Sequence, residues 1–158
     1  MSGDQPRFVD AGPLRIAGLD RAYKFAEIGG IPGQWADFGP FIGRMPGQVG
    51  KVSYGLCHHM SDTGITYLAG VEVADDALLL DGIHAERLSA QRYAVFPHRE
   101  HVSKLSETMR YIWSAWLPSS GSAVVDSPVI FERYGESFDP AVGSGDIEVW
   151  LAIAGRAF

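Results

Sequence analysis

Hydrophobic and polar positions alternate along this chain in short runs, and the clearest run lies near the C-terminus. In Gly145-Asp146-Ile147-Glu148-Val149-Trp150-Leu151-Ala152-Ile153-Ala154, the residues Ile147, Val149, Leu151 and Ile153 share one side of a strand. Glu148 and Trp150 share the other. The greasier row predicts the side turned to a core, so Glu148 faces either solvent or a pocket in which one acid has a task. Residues 51–59 place Val52, Tyr54 and Leu56 on one side of a second strand. Residues 64–74 do the same with Ile65, Tyr67, Ala69, Val71 and Val73, and the segment from His58 to Gly64 reads as the hairpin loop between the two. Residues 14–25 predict an extended segment bent at Gly18. Further strands are expected at residues 92–96 and 128–138, a turn at 139–145, a polar start before residue 14, a loop at 45–50, and a connection at 75–86 that divides the chain into halves.

Helical spacing appears twice. Leu105, Met109, Ile112, Trp113 and Trp116 fall at i, i+4, i+7, i+8 and i+11, which predicts an amphipathic helix. Ser103 is its expected N-cap, Glu107 complements its dipole, and Leu117-Pro118 with Gly121 ends it. The weaker helix spans residues 34–42 with Trp35, Phe38, Phe41 and Ile42, preceded by Pro32 in a first-turn position. Each half thus reads strand, helix, strand, strand, and Tyr67-Leu68-Ala69-Gly70-Val71 takes the place of Glu148-Val149-Trp150-Leu151-Ala152. The expected fold class is α+β: duplicated strand-helix-strand-strand units form an antiparallel sheet with two main helices on one face. One domain is expected over residues 1–158, with pseudo-repeats at about 10–75 and 88–154.

Composition narrows the function classes. Of 158 residues, 46% are hydrophobic and 20% charged, which is globular rather than disordered. A net charge of −6 gives no electrostatic footprint for nucleic acid or for an anionic membrane. Cys57 is the single cysteine, so no internal disulfide forms and a reducing compartment fits. The start, Met-Ser-Gly-Asp-Gln-Pro, has no signal-peptide pattern, and no apolar run reaches membrane-span length. A cytoplasmic protein is expected.

Most catalytic patterns are missing. Five histidines are present, but His58 and His59 are adjacent and point to opposite sides of a strand, while His98 and His101 flank a loop. No Cys-x-x-Cys or His-Glu-x-x-His spacing accompanies them, so no metal and no other cofactor is expected. Gly121-Ser122 and Gly143-Ser144-Gly145 do not make a nucleophile elbow, and residues 43–50 lack the Gly-Lys-Ser/Thr end of a phosphate loop. Cys57 reads as a small core residue. What stands out is aromatic: Trp35, Phe38, Tyr54, Tyr67, Trp113, Trp116 and Trp150, of which Trp116 belongs with Leu105 and Ile112 in the core. A groove floored by a sheet and lined with such rings suits a planar or cationic small molecule.

The motifs Tyr93-Ala94-Val95-Phe96, His98-Arg99, His101-Val102-Ser103, Trp116-Leu117-Pro118, Phe131-Glu132-Arg133-Tyr134 and Glu148-Val149-Trp150-Leu151 resemble the GyrI-like (gyrase-inhibitor-like) family. Tyr54-Gly55-Leu56-Cys57 and Tyr67-Leu68-Ala69-Gly70-Val71 are similar to it as well, so the likeness runs from about residue 14 to 153. Glu100 and Ala152 depart from a glycine and a proline common at these places. The resemblance implies a ligand cleft between the two helices, with the acid at Glu148 inside it facing cationic, hydrophobic compounds. It also implies the role of effector-binding module found in AraC-type and MerR-type regulators, here without a preceding helix-turn-helix. Some family members hydrolyse cyclopropane-bearing DNA-alkylating natural products, and the resemblance carries the catalytic acid and tyrosine onto Glu148 and Tyr67.

Three functions are therefore weighed. The favoured one is a stand-alone binding protein for hydrophobic, aromatic or cationic compounds, serving drug sensing or sequestration. Its expected ligand-binding residues are Glu148, Tyr67, Trp113, Trp150, Trp35, Phe38 and Met109. The alternative is a cyclopropanoid hydrolase using Glu148 as base and Tyr67 as proton donor. The third is a protein inhibitor of a partner enzyme. No direct contact with nucleic acid or membrane is expected, and the protein is expected to be a monomer or homodimer.

Overall fold

The computed structural model describes residues 5–124 and 130–154. Along the chain these form strands β1 (Arg7–Ala11), β2 (Leu14–Lys24), β3 (Gln48–Met60), β4 (Gly64–Val73), β5 (His84–Leu88), β6 (Gln91–His98), β7 (Ile130–Tyr134) and β8 (Ile147–Ile153). Helix α1 (Ile31–Phe38) lies between β2 and β3; α2 (Leu105–Tyr111) and α3 (Leu117–Ser120), joined by a π-helical turn at Ile112–Trp116, lie between β6 and β7. The class is α+β with antiparallel pairing. No helix among the described residues is long and apolar enough to cross a membrane.

The chain divides into two compact units, residues 13–89 and residues 1–12 with 90–158. In the first, the strands run β3-β4-β2-β5; in the second, β1-β6-β8-β7. Two strands were not expected. β1 forms where a polar start was predicted, and β5 lies within the predicted connection and the residues just after it. Each is short and earns its hydrogen bonds at an edge, β1 on β6 and β5 on β2, so neither needs a strong hydrophobic pattern of its own. The segment preceding β2 thus completes the second unit, and the segment preceding β6 completes the first.

Within residues 13–89, α1 covers one side of its strands. Ala17, Phe38, Met45, Tyr67, Ala69, Val71 and Val73 are buried together there, with Leu19, Trp35 and Cys57 packed against them. Gln34, fully buried on α1, donates to the Leu19 carbonyl at 2.7 Å and the Tyr67 carbonyl at 2.9 Å, while Tyr23 donates to its Oε1 at 2.7 Å. A buried amide is tolerated because these bonds satisfy it. Gly18 does not bend β2. It pairs with both Gly70 and His84, and its backbone lies so close to β4 that a Cβ would stand 1.8 Å from the Ala69 carbonyl oxygen.

In the second unit the helical segment covers the other kind of row, Phe8, Ala94, Phe96, Val149 and Leu151. Trp116 stands edge-on to Phe96 at 4.9 Å and 6.4 Å from Phe8. Buried His98 ties β6 to α2 through Thr108 Oγ1 at 2.7 Å and contacts the His101 carbonyl at 2.8 Å, a structural role. The expected cap is corrected: His101 precedes the first turn and its Nδ1 accepts from the Ser103 amide. Pro118 does not end the helix, since it occupies a first-turn position of α3 where no amide proton is needed. Gly121, at φ 75°, ends it in the left-handed conformation that glycine adopts without cost. The strand predicted from residue 128 is described only from Ile130, because Pro128 and Val129 lie outside the described residues, as do residues 1–4 of the start read for a leader; β7 also stops earlier than expected, at Tyr134.

Candidate functional site

β8 is the middle of the second unit's site. Its register with β6 sets Glu148 opposite Pro97, Trp150 opposite Val95 and Ala152 opposite Tyr93; its register with β7 adds Arg133 and Phe131. β1 contributes Arg7, opposite Val95 on β6. Residues directly opposite in antiparallel strands share a face. Arg7, Tyr93, Val95, Phe131, Arg133, Glu148 and Trp150 therefore stand on one side, and α2 with its π turn covers the other. Within this unit Glu148 stands on the side of β8 turned away from α2. The greasy row Ile147, Val149, Leu151 and Ile153 takes the helix side because it offers the larger apolar area.

The face combines rings with a fixed charge. Phe131 is stacked on Trp150 at 5.4 Å and 20°, and Tyr93 stands edge-on to Trp150 at 5.3 Å and to Phe131 at 5.5 Å. Arg7 Nη1 donates to Glu148 Oε2 at 2.7 Å; Trp150 Nε1 donates to Oε1 at 3.1 Å; Arg133 Nη1 lies 3.6 Å from Oε1. The Glu148 side chain keeps 15% of its exposure, against 56% for Arg7. Burial pushes the Glu148 carboxyl up, but the hydrogen bonds from Arg7 and Trp150 and the charges of Arg7 and Arg133 outweigh it, holding the group below its usual value. It is an anion at neutral pH, poorly made to take up a proton.

The other expected site residues gather elsewhere. Trp35 Nε1 donates to the Tyr67 hydroxyl at 2.9 Å, and Trp35 stands edge-on to Tyr67 and Phe38 at 6.5 and 6.2 Å. Tyr67 and Phe38 are buried in the core under α1, so within their unit they occupy the helix side. This breaks the proposed equivalence of Tyr67–Val71 with Glu148–Ala152. Tyr67 faces its helix and Glu148 faces away from its own, and an alternating strand permits only an even shift between positions on one side. Met109 is partly buried on α2, and Trp113, in the π turn, is 36% exposed rather than part of the packed helix face. The wider turn buries Ile112 and Trp116 and leaves Trp113 outside.

A model of the GyrI-like small molecule binding domain matches residues 4–154. The chain belongs to the GyrI-like family. It is 29% identical over 152 residues to the transcriptional regulator BrlR of Pseudomonas aeruginosa, a match covering 93% of this chain and 54% of BrlR. The chain thus spans about half the length of the curated relative it matches. Its fold is similar to that of SAV2435 bound to tetraphenylphosphonium, with TM-score 0.76 and 18% identity over 96% of this chain and 95% of that one. The EcmrR C-terminal domain is similar at TM-score 0.65 and 13% identity, over 95% and 98% of the two chains.

Against the GyrI-like motifs, Arg7 is the residue that sequence reading missed. It lies in a stretch with no strand pattern, 141 positions from Glu148, and only the β1–β6 pairing delivers it. Arg133, Phe131 and Tyr93 belonged to recognised motifs. Their company with Glu148 follows from register, which spacing alone does not supply.

Proposed function

We propose that this GyrI-like domain binds a hydrophobic cation on the Glu148 face, with half-buried Trp150 as its aromatic contact and the buried rings of Phe131 and Tyr93 packed behind it. The observation that carries the reading is the ionised Glu148 carboxylate held against the edge of a three-ring cluster. A delocalised cation gains twice there, from the carboxylate and from the ring quadrupoles. The ligand named for SAV2435, tetraphenylphosphonium, has this chemistry and supports the reading. Arg7, more than half exposed, then acts as a resident cation that an incoming ligand displaces. Trp35, Phe38, Tyr67, Met109 and Trp113, the other expected ligand contacts, remain part of the reading as candidates for mutation. The likeness of the two strand-helix-strand-strand runs fits a duplication, and a single domain over 1–158 fits the family match.

The test is a fluorescence titration with tetraphenylphosphonium. Glu148→Gln is expected to weaken binding by about 1–3 kcal/mol. Arg7→Gln is expected to tighten it, because the competing cation is gone. Unchanged affinity in both variants overturns the assignment of the face. No observation favours hydrolysis: Glu148 is held as a weak base, and the Tyr67 hydroxyl is engaged by Trp35 in a core.

A further inference from the structure

We infer that residues 13–89 carry a binding site for a zinc-type divalent transition metal, built by Asp20, His58 and His84 with Glu86 behind them. These four share no residue with the Glu148 face, and the inference is independent of the function proposed above.

The strands bring the ligands together from far apart in sequence. Asp20 is on β2, His84 opens β5, and Gly18 of β2 pairs with His84 while Ile16 pairs with Glu86. Positions 16, 18 and 20 alternate to one side of β2, the side away from α1, so Asp20, His84 and Glu86 share it. His58 arrives from β3 through an irregularity. Cys57 pairs with Tyr67 and His59 with Thr66, which leaves His58 as an extra residue in a bulge. Cys57 packs on the α1 side, so alternation turns His58 to the side of Asp20, and the bulge leaves His58 without a Cα partner on β4. Of the two adjacent histidines only His58 joins the cluster.

The resulting geometry is that of a donor cluster. His58 Nε2 is 2.6 Å from Asp20 Oδ1, His58 Nδ1 is 3.9 Å from Glu86 Oε2, and His84 Nε2 is hydrogen-bonded to Glu86 Oε2. The two imidazoles lie nearly parallel, 5.7 Å apart. One ligand atom from each of Asp20, His58 and His84 lies within 4.8 Å of the other two. Tetrahedral coordination with bonds of about 2.0 Å needs ligand atoms about 3.3 Å apart, which small side-chain rotations achieve. Two imidazoles and one carboxylate select a zinc-type ion over calcium or magnesium, which prefer oxygen. Glu86 then serves as the outer carboxylate that orients His84. Since the His84 side chain is 45% exposed, the remaining coordination position is open to water. Binding would fasten the edge strand β5 to β2 and β3.

The experiment is a calorimetric titration of Zn²⁺ into the untagged, metal-stripped protein, with elemental analysis after desalting. One equivalent is expected to bind, and magnesium or calcium is not expected to compete. His58→Ala and His84→Ala are each expected to abolish stoichiometric binding, and Glu86→Gln to weaken it about 10–100-fold. His59→Ala, in the next residue, is expected to bind as the parent does. Failure of the parent to bind one equivalent overturns the site. So does loss of binding in His59→Ala, which would mean a surface chelate of the adjacent histidines, or retention in His58→Ala or His84→Ala with a native circular dichroism spectrum. Tetraphenylphosphonium affinity is measured on the same variants, so this result and that of the Glu148 face fail or succeed separately.

Discussion

Strands β8 and β4 are both interior strands of their units, and each carries one glutamate on the side turned away from its helix, Glu148 and Glu72. Their carboxyls respond in opposite directions. For Glu72, burial raises the value and the charge of Asp75 raises it further. For Glu148, burial also raises it, but Arg7, Trp150 and Arg133 bring it below the usual range. Both acids are partly desolvated, so burial does not separate them. The difference lies in which strand runs alongside. β8 has β7 beside it with Arg133, and β1 two strands away with a long arginine that reaches across; Glu72 stands opposite Ile16 on β2. A partly buried carboxylate becomes a stable anion only where cations and N–H donors stand in for lost water.

This contrast can be broken in graded ways. The largest effect is expected from Phe131→Ala, which removes a ring 2% exposed and stacked on Trp150. A loss of about 3–5 kcal/mol in chemical denaturation, with a red-shifted tryptophan emission, is expected. A loss under about 1 kcal/mol would mean that this ring cluster contributes little to the fold.

Next is Glu148→Gln, expected to cost about 1 kcal/mol at neutral pH, a modest figure because Arg7 is largely solvated. The sign follows from linkage. A depressed folded-state value stabilises above the unfolded-state value of about 4.3 and is lost as pH falls through the folded one. The gap between parent and variant should therefore close in acid, and a pH-independent gap would assign the loss to packing instead.

The smallest effect is of the opposite sign. Glu72→Gln is expected to stabilise by about 0.5 kcal/mol or less at neutral pH. For a raised carboxyl the penalty is absent below the unfolded-state value and grows as pH rises through the folded one. Denaturation midpoints at about pH 4 and pH 7 check this, and destabilisation at pH 7 would remove the contrast between the two strands.

Much of this architecture was legible in the chain. Alternation in β8 and β4, the apolar spacing that becomes α2, and Pro32 at the start of α1 are local signals, because side-chain direction follows directly from backbone period. The edge strands were not legible, since β1 and β5 take their order from a neighbour's hydrogen bonds. Nor was the π turn that exposes Trp113, or the bulge at His58 in β3. Each inserts or redirects a single residue, and a periodic pattern carries no information about one displaced position.

By itself, the sequence determined the α+β class, the central strands, the family, and the isolation of Glu148 on a row apart from Ile147, Val149, Leu151 and Ile153. Only the tertiary structure decided which side that row takes, and that Arg7 and Arg133 meet the carboxylate there. It likewise gathered Asp20, His58 and His84. The physical reason is that a strand's own pattern sets its two faces, whereas register between strands distant in sequence sets what each face confronts.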